Sequence, residues 1–547
     1  MAVKDAAKGY DYIIVGAGSA GCTLAARLTE DPAVSVLLLE AGGRDWDPLI
    51  HIPIGVGKIH QHKLHDWGYM SEPNEAMNGR RLHIKRGKVL GGSSSVNIMA
   101  YTRGHPGDYD RWSRNGATGW SHAEVLPYFK RCETWEKGAS AWRGGDGPVG
   151  TQHAKTIDPI FEAWIEAAHA KGLPVTDDYN GPQPVGFSKG QYTIRNGRRS
   201  SSANAFLKPA RGRANLTVHT RAHASRILMN GTTATGIEYF RRGKSVTAMA
   251  DQEVILSGGV FNTPQLLMLS GIGPAAHLKE FGIDCLSDLP VGKNLQDHLV
   301  VSNFWTRPTN PSRFRDELRF DRLAVSMVRA YLFGTGPASV VPGGMHAFLK
   351  STPDKEVADL EFLFRGAPLD ANPWFPGIKK KYEDGFAIRA GIVHPKSRGE
   401  ARLRSTDARD PMVLDFRFLS NNHDLVLLRE AFKLVRECAN EQALAPYRGV
   451  ELTPGADIQT DDQIDEYVRN TLGTIEHPAC TCPMGTGPEC VLDPDMKVRG
   501  IEKLRVVDGS ALPDLTSAHI NSTILMMAEK ASDMIRGREA LPAENVN

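Results

Sequence analysis

Residues 16–21 read Gly16-Ala17-Gly18-Ser19-Ala20-Gly21, a G-x-G-x-x-G spacing that lets a main chain close on a pyrophosphate. Gly16 permits the tight turn, Gly18 lets the backbone approach the phosphates, and Gly21 lets the following helix pack closely on the preceding strand. The helix N-terminus offers free N–H groups and a partial positive charge to the same phosphates. Glu40, nineteen residues beyond Gly21, is placed to accept hydrogen bonds from an adenosine ribose, and its charge disfavours a 2′-phosphate. The spacing points to a dinucleotide, FAD or NAD rather than NADP. Far along the chain stand His477 and, 42 residues later, His519. Pro478 pushes His477 out of helical geometry onto an extended or turn segment. An imidazole titrates near neutrality and is the usual side chain for taking a proton from a weak acid such as an alcohol.

The elements that must hold these residues follow from pattern. Residues 12–15 and 34–39 are short apolar runs that predict buried parallel strands flanking a helix over 22–28. Residues 254–256 form another apolar strand, and Thr263 with Pro264 predicts the cap and first position of the next helix. Residues 504–507 predict a strand ending at Asp508-Gly509. Asn521 or Ser522 is expected to cap a helix over 523–535, which Gly537 ends. Alternating segments at 359–365 and 387–394 predict an antiparallel sheet, with a helix over 425–441 beside it. Residues 308–351 read as loop and helix, part of a substrate entrance, and Lys379-Lys380-Lys381 as a solvated face.

Composition narrows the function classes. The chain has 547 residues, with 65 basic and 63 acidic side chains and a formal charge of +2, which gives no support for binding nucleic acid or for a polybasic membrane role. Hydrophobic residues make up 41% and charged residues 23%, a globular balance. Apolar runs fall short of the ~18 residues that span a bilayer, and no secretory signal is visible. Seven cysteines, odd in number, read as reduced thiols of a cytoplasmic protein. Cys480, Cys482 and Cys490 lack zinc-site spacing, so no metal is expected.

Four ordered segments carry a resemblance. Residues 86–104 include Gly91-Gly92-Ser93-Ser94-Ser95-Val96-Asn97, and 257–274 run from Ser257-Gly258-Gly259 to Gly273-Pro274. Residues 290–298 read Pro-Val-Gly-Lys-Asn-Leu-Gln-Asp-His, and 477–485 read His-Pro-Ala-Cys-Thr-Cys-Pro-Met-Gly. Together they resemble the glucose–methanol–choline (GMC) oxidoreductase family of FAD enzymes over essentially the whole chain. Residues 86–95 are nearest in style to its choline-dehydrogenase-like bacterial branch. The resemblance implies an α/β fold: a Rossmann-like FAD-binding domain with an inserted α+β substrate domain built on an antiparallel sheet. By motif position the first domain is discontinuous, 8–150, 195–305 and 490–540. The second takes 151–194 and 306–489, leaving 541–547 as a frayed tail.

The same resemblance implies oxidation of a primary alcohol to an aldehyde, by hydride transfer to flavin N5 with His477 as base. His519 takes the second active-site position. Choline dehydrogenases carry Asn there, so His519 argues against choline itself. Cofactor contacts are implied for Gly16, Gly18, Ser19, Ala20, Gly21, Glu40, Val89, Gly92, Asn97, Ala224, Asp508, Gly509, Asn521 and Thr523. Some members attach FAD covalently through a His in the 86–104 segment; Val96 stands there, so non-covalent FAD is expected. His83, His298 and His394 carry no assigned role. The partner is a small-molecule alcohol, and the electron acceptor is left open among a quinone-like molecule, a dye and O2. An alcohol oxidase releasing hydrogen peroxide, or a non-redox lyase of the same fold, are the alternatives.

Overall fold

The structure, a computed structural model, describes residues 8–368 and 371–546. Two seven-stranded sheets organise it. The first runs in the order Leu216–Thr220, Val36–Glu40, Lys8–Val15, Lys244–Leu256, Thr233–Arg241, Ala222–Asn230, with Leu504–Val506 also paired to Lys244–Leu256. Its glycine-proximal strands are parallel: Ile14 lies opposite Leu38 on one side and Ile255 on the other. Near the glycines these strands are buried on both faces, which is why residues 13–15, 36–39 and 254–256 are continuously apolar. The 222–256 strands form an antiparallel extension.

The second sheet is antiparallel, in the order Glu451–Thr453, Leu299–Thr306, Gly385–Ile392, Leu360–Arg365, Gly343–Leu349, Gly186–Lys189, with Gly473–Thr474 added on Leu299–Thr306. Helix Asn422–Ala439 packs on it, close to the expected span. The division expected at residue 305 runs through Leu299–Thr306, which pairs wholly within the second sheet.

Local details depart from expectation for identifiable reasons. Helix Gly259–Leu269 begins earlier than its predicted cap, so Thr263 and Pro264 lie inside it. Pro264 has no N–H to give Val260, and that carbonyl instead accepts the Thr481 hydroxyl at 2.7 Å. The last helix, Asn521–Ile535, begins after Ile520 with no side-chain cap. Asn521 Oδ1 accepts from Ser19 Oγ at 2.6 Å and Ser522 Oγ donates to the Thr102 carbonyl, so both are occupied elsewhere. Residues 541–546 are not frayed: Leu541 N–H donates to Tyr128 Oη at 3.0 Å and Glu544 N–H to the Ala123 carbonyl at 2.8 Å. Residue 547 lies outside the described residues. Among the described residues no helix is long and apolar enough to cross a membrane.

Candidate active site

A cavity of about 1040 Å³ opens where the carboxyl ends of the parallel strands face the second sheet. Val15, Glu40 and Leu256 line it from the first sheet; His346, Leu363 and Arg389 line it from the second. Ligands of open α/β sheets bind at such strand ends.

At the first sheet the glycines do what their spacing requires. Gly16 has φ +102°, and a Cβ on it would meet the Ser257 carbonyl oxygen at 2.3 Å. A Cβ on Gly21 would meet the Gly16 oxygen at 1.8 Å, so helix Ser19–Leu28 seats on its strand only without a side chain there. A Cβ on Gly18 meets nothing within 4 Å: the space beyond it belongs to the cavity. Gly92 packs its Cα side onto Gly18, where a Cβ would stand 2.7 Å from the Gly18 Cα. The Ser19–Asn521 hydrogen bond brings two helix N-termini together on the same wall. Glu40 is fixed by Ala17 N–H at 3.1 Å and Gly42 N–H at 2.7 Å, and burial pushes its carboxyl up to about 7. This bare glycine cradle, an acid at the adjoining strand end and a long cavity beyond them fit a dinucleotide such as FAD.

At the far end four imidazoles stand in a row. Ring centroids are 5.2 Å apart for His298–His477, 4.8 Å for His477–His519 and 5.6 Å for His346–His519. His298 Nδ1 and His477 Nδ1 share one hydrogen bond of 3.0 Å. His477 lies in the loop after Gly473–Thr474, and its N–H donates to Asp297 Oδ1 at 2.8 Å. His519 N–H donates to Thr102 Oγ1, and its Nε2 meets Glu361 Oε1, both at 2.6 Å. Burial, reinforced by His519, His298, Arg86 and Arg389, holds His477 well below the ordinary histidine value. Burial likewise takes His298 down to about 3 and His346 to about 4. Burial pushes Glu361 up, but the neighbouring His519, His346 and His298 outweigh it and leave the carboxyl below its ordinary value. Glu476 is tied to Lys85 at 3.1 Å, and its carbonyl accepts from Arg86.

The cavity brings together His477, His519, Gly16, Gly18, Ser19, Ala20, Glu40, Gly92, Asn97, Ala224, Asp508, Gly509 and Asn521. Three expected cofactor contacts do not line it. Gly21 faces its own strand. Val89 is fully buried in an apolar cluster with Ile50, Ile59 and Val96. Thr523 points into the protein, its hydroxyl 3.0 Å from Tyr109 Oη, because the helix begins at Asn521 and its third residue turns away. Asp508 lines the cavity, yet both its oxygens are taken: Oδ2 accepts from Gly259 N–H and Thr263 Oγ1, Oδ1 from Ser510. Asn97 Oδ1 accepts from Arg199 at 2.8 Å.

Sequence reasoning passed over His346 and Glu361 and left His298 without a role. The one available signal for Glu361 was an acid inside the apolar run Leu360-Glu361-Phe362-Leu363-Phe364, since a buried charge needs a partner. His83 and His394 stand outside the cavity, against Asp66 at 2.7 Å and Asp108 at 3.2 Å.

Comparison with known proteins agrees with this geometry. Two family models described as GMC oxidoreductase match residues 10–300 and 395–528. An "oxygen-dependent choline dehydrogenase" of Brucella ovis is 42% identical over 538 residues, 98% of this chain and 97% of that one. A crystal structure of pyridoxine 4-oxidase from Mesorbium loti superposes with TM-score 0.86 at 31% identity, covering 97% of this chain and all of that one. A formate oxidase of Aspergillus oryzae, studied for its FAD modification, gives TM-score 0.89 at 27% identity over 97% of this chain and 98% of that one.

Proposed function

The chain belongs to the GMC oxidoreductase family, and from that premise we propose that it oxidises a primary alcohol other than choline to the aldehyde, with His477 receiving the hydroxyl proton. Oxidation of a CH–OH donor with FAD is the family's chemistry. The observation that carries the assignment is the His477–His519 pair, 4.8 Å between centroids, lining the same cavity as the Gly18 turn and Glu40.

The turn at Gly16 and Gly18, with Ser19, Ala20, Gly92 and Asn521, would hold the pyrophosphate; Glu40 and Ala224 the adenosine end; Asn97 and Gly509 the ring end. Bound FAD supplies the acceptor for the hydride. His477 works as base through Nε2. That role requires the His477 proton on Nδ1, in the 3.0 Å hydrogen bond to His298 Nδ1, so that Nε2 is the bare nitrogen. His519, oriented by Glu361, sets the alcohol oxygen between the two imidazoles. The positive field of Arg86 and Arg389 favours the alkoxide that forms as the proton leaves.

Arg86 and Arg389 stand near His477, but Glu476 pairs with Arg86 as well as Lys85, and Glu361 Oε2 and Asp297 Oδ2 have no hydrogen-bond partner among the described residues. His519 stands where the choline-dehydrogenase pattern has Asn, which argues against choline, although the Brucella relative is named for it. FAD is held non-covalently, since Val96 offers no nucleophile. The antiparallel sheet's half serves as the substrate-binding domain. The seven cysteines are all unbridged, which suits a cytoplasmic protein.

An anaerobic screen of flavin reduction by apolar, carboxylate-bearing and quaternary-ammonium alcohols tests the reading. Reduction by a non-quaternary alcohol at lower concentration than by choline is expected; preference for choline overturns the reading of His519. Acid precipitation should release the flavin into the supernatant; yellow colour kept in the pellet refutes non-covalent binding.

A further inference from the structure

Helix Phe320–Phe333 has two apolar sides. Leu323 and Met327, with buried Ser326 and Ala330, form the inward one, and Leu323 and Met327 line the cavity. The other side is bare: Phe320 is 62%, Val325 61%, Val328 57%, Leu332 55% and Phe333 71% exposed. The turn at 374–381 is fastened to this region by Phe320 N–H donating to the Trp374 carbonyl at 2.9 Å and Trp374 Nε1 donating to the Arg315 carbonyl at 2.7 Å. It adds Ile378, 84% exposed, and Lys379, Lys380 and Lys381. Lys381 is paired with Asp316. Lys379, Lys380, Arg322 and Arg329 have no ion-pair partner among the described residues, and the two arginines, seven residues apart, lie along one edge of the apolar stripe.

A soluble monomer rarely keeps so continuous an apolar patch without use for it. We propose that this helix and turn dock on an anionic lipid surface, apolar side sunk to the acyl boundary and cationic rim on the headgroups. The helix would then be the wall between bilayer and cavity, and apolar alcohols would reach the site from the lipid. The charges choose the occupant. In a two-fold pairing of copies the same patch meets itself, so the unpaired cations would crowd together. Anionic headgroups neutralise them instead, as at an interfacial amphipathic helix.

Flotation of the flavin-loaded full chain with phosphatidylcholine vesicles, with and without phosphatidylglycerol, tests this. The protein should float with the anionic vesicles and much less with the neutral ones. V328E/L332E should bind them about tenfold or more weaker, with turnover on a soluble dye unchanged. K379A/K380A, at two exposed positions of the turn, should lose roughly fivefold per lysine. Wild-type protein that stays unbound with both vesicle types overturns the proposal. So does a concentration-dependent dimer in sedimentation that V328E/L332E dissolves, which would make the patch a contact between copies.

Discussion

His477 is useful as a base only while its outer nitrogen is bare, which requires the proton to sit on the Nδ1 it shares with His298. Its pKa lies below the ordinary histidine value, so the base form persists as pH falls past about 6.5. The acid limb of kcat/KM is therefore expected below that pH, activity falling as the group takes a proton; a limb centred near 7 would show that the burial and neighbouring charges do not act as described. His477→Ala should cost about 10²–10⁴-fold in kcat/KM with flavin content retained, measured by steady-state kinetics and the visible spectrum. Glu361→Gln removes the anion that faces His519 at 2.6 Å, and should lower kcat with little change in stability, because an amide fills the same space. At this scale the sequence was half legible. His477 and His519 stood in recognisable contexts, whereas Glu361 and His346, on neighbouring strands of the second sheet, meet His519 only through tertiary packing, Glu361 lying 158 residues away along the chain.

Elements differ in how much of their role is local. The Gly16–Gly21 turn could be read because strand, turn and helix are consecutive, so spacing alone sets their contacts. Its glycines should separate by experiment. Gly21→Ala drives a methyl into the Gly16 carbonyl and should destabilise the folded chain, with poor soluble yield. Gly18→Ala meets no protein atom, so the apoprotein melt should be unchanged while FAD affinity falls; equal melting loss in both would contradict the cradle. Thr523 and the two helix caps were misplaced because Thr102, Tyr109 and Ser19, all distant in sequence, claim the side chains involved. Pattern shows which residues can cap, and tertiary contacts decide whether they do.

The whole molecule buries its imidazoles at a cost that shows in acid. His298 and His346 titrate at about 3 and 4 when folded, against about 6.5 in an unfolded chain. Between these limits the unfolded state binds more protons, so stability declines as pH drops from about 6.5 toward 4, by at most about 1.4 kcal/mol per pH unit for each group. Thermal melts across that range should show the decline, and His346→Gln should flatten part of it. Both sheets were legible as strands, but the alternation expected of the second is absent, since Leu360–Phe364 and most of Gly385–Ile392 are buried throughout. The cavity between their ends was not legible, since it is made by residues from Val15 to Ile524. The most direct test of the account is anaerobic mixing of the flavin-loaded enzyme with a primary alcohol, followed by visible absorbance. Rapid bleaching in the wild type, slowed by two or more orders of magnitude in His477→Ala, is the predicted result; bleaching at the same rate in both would contradict it.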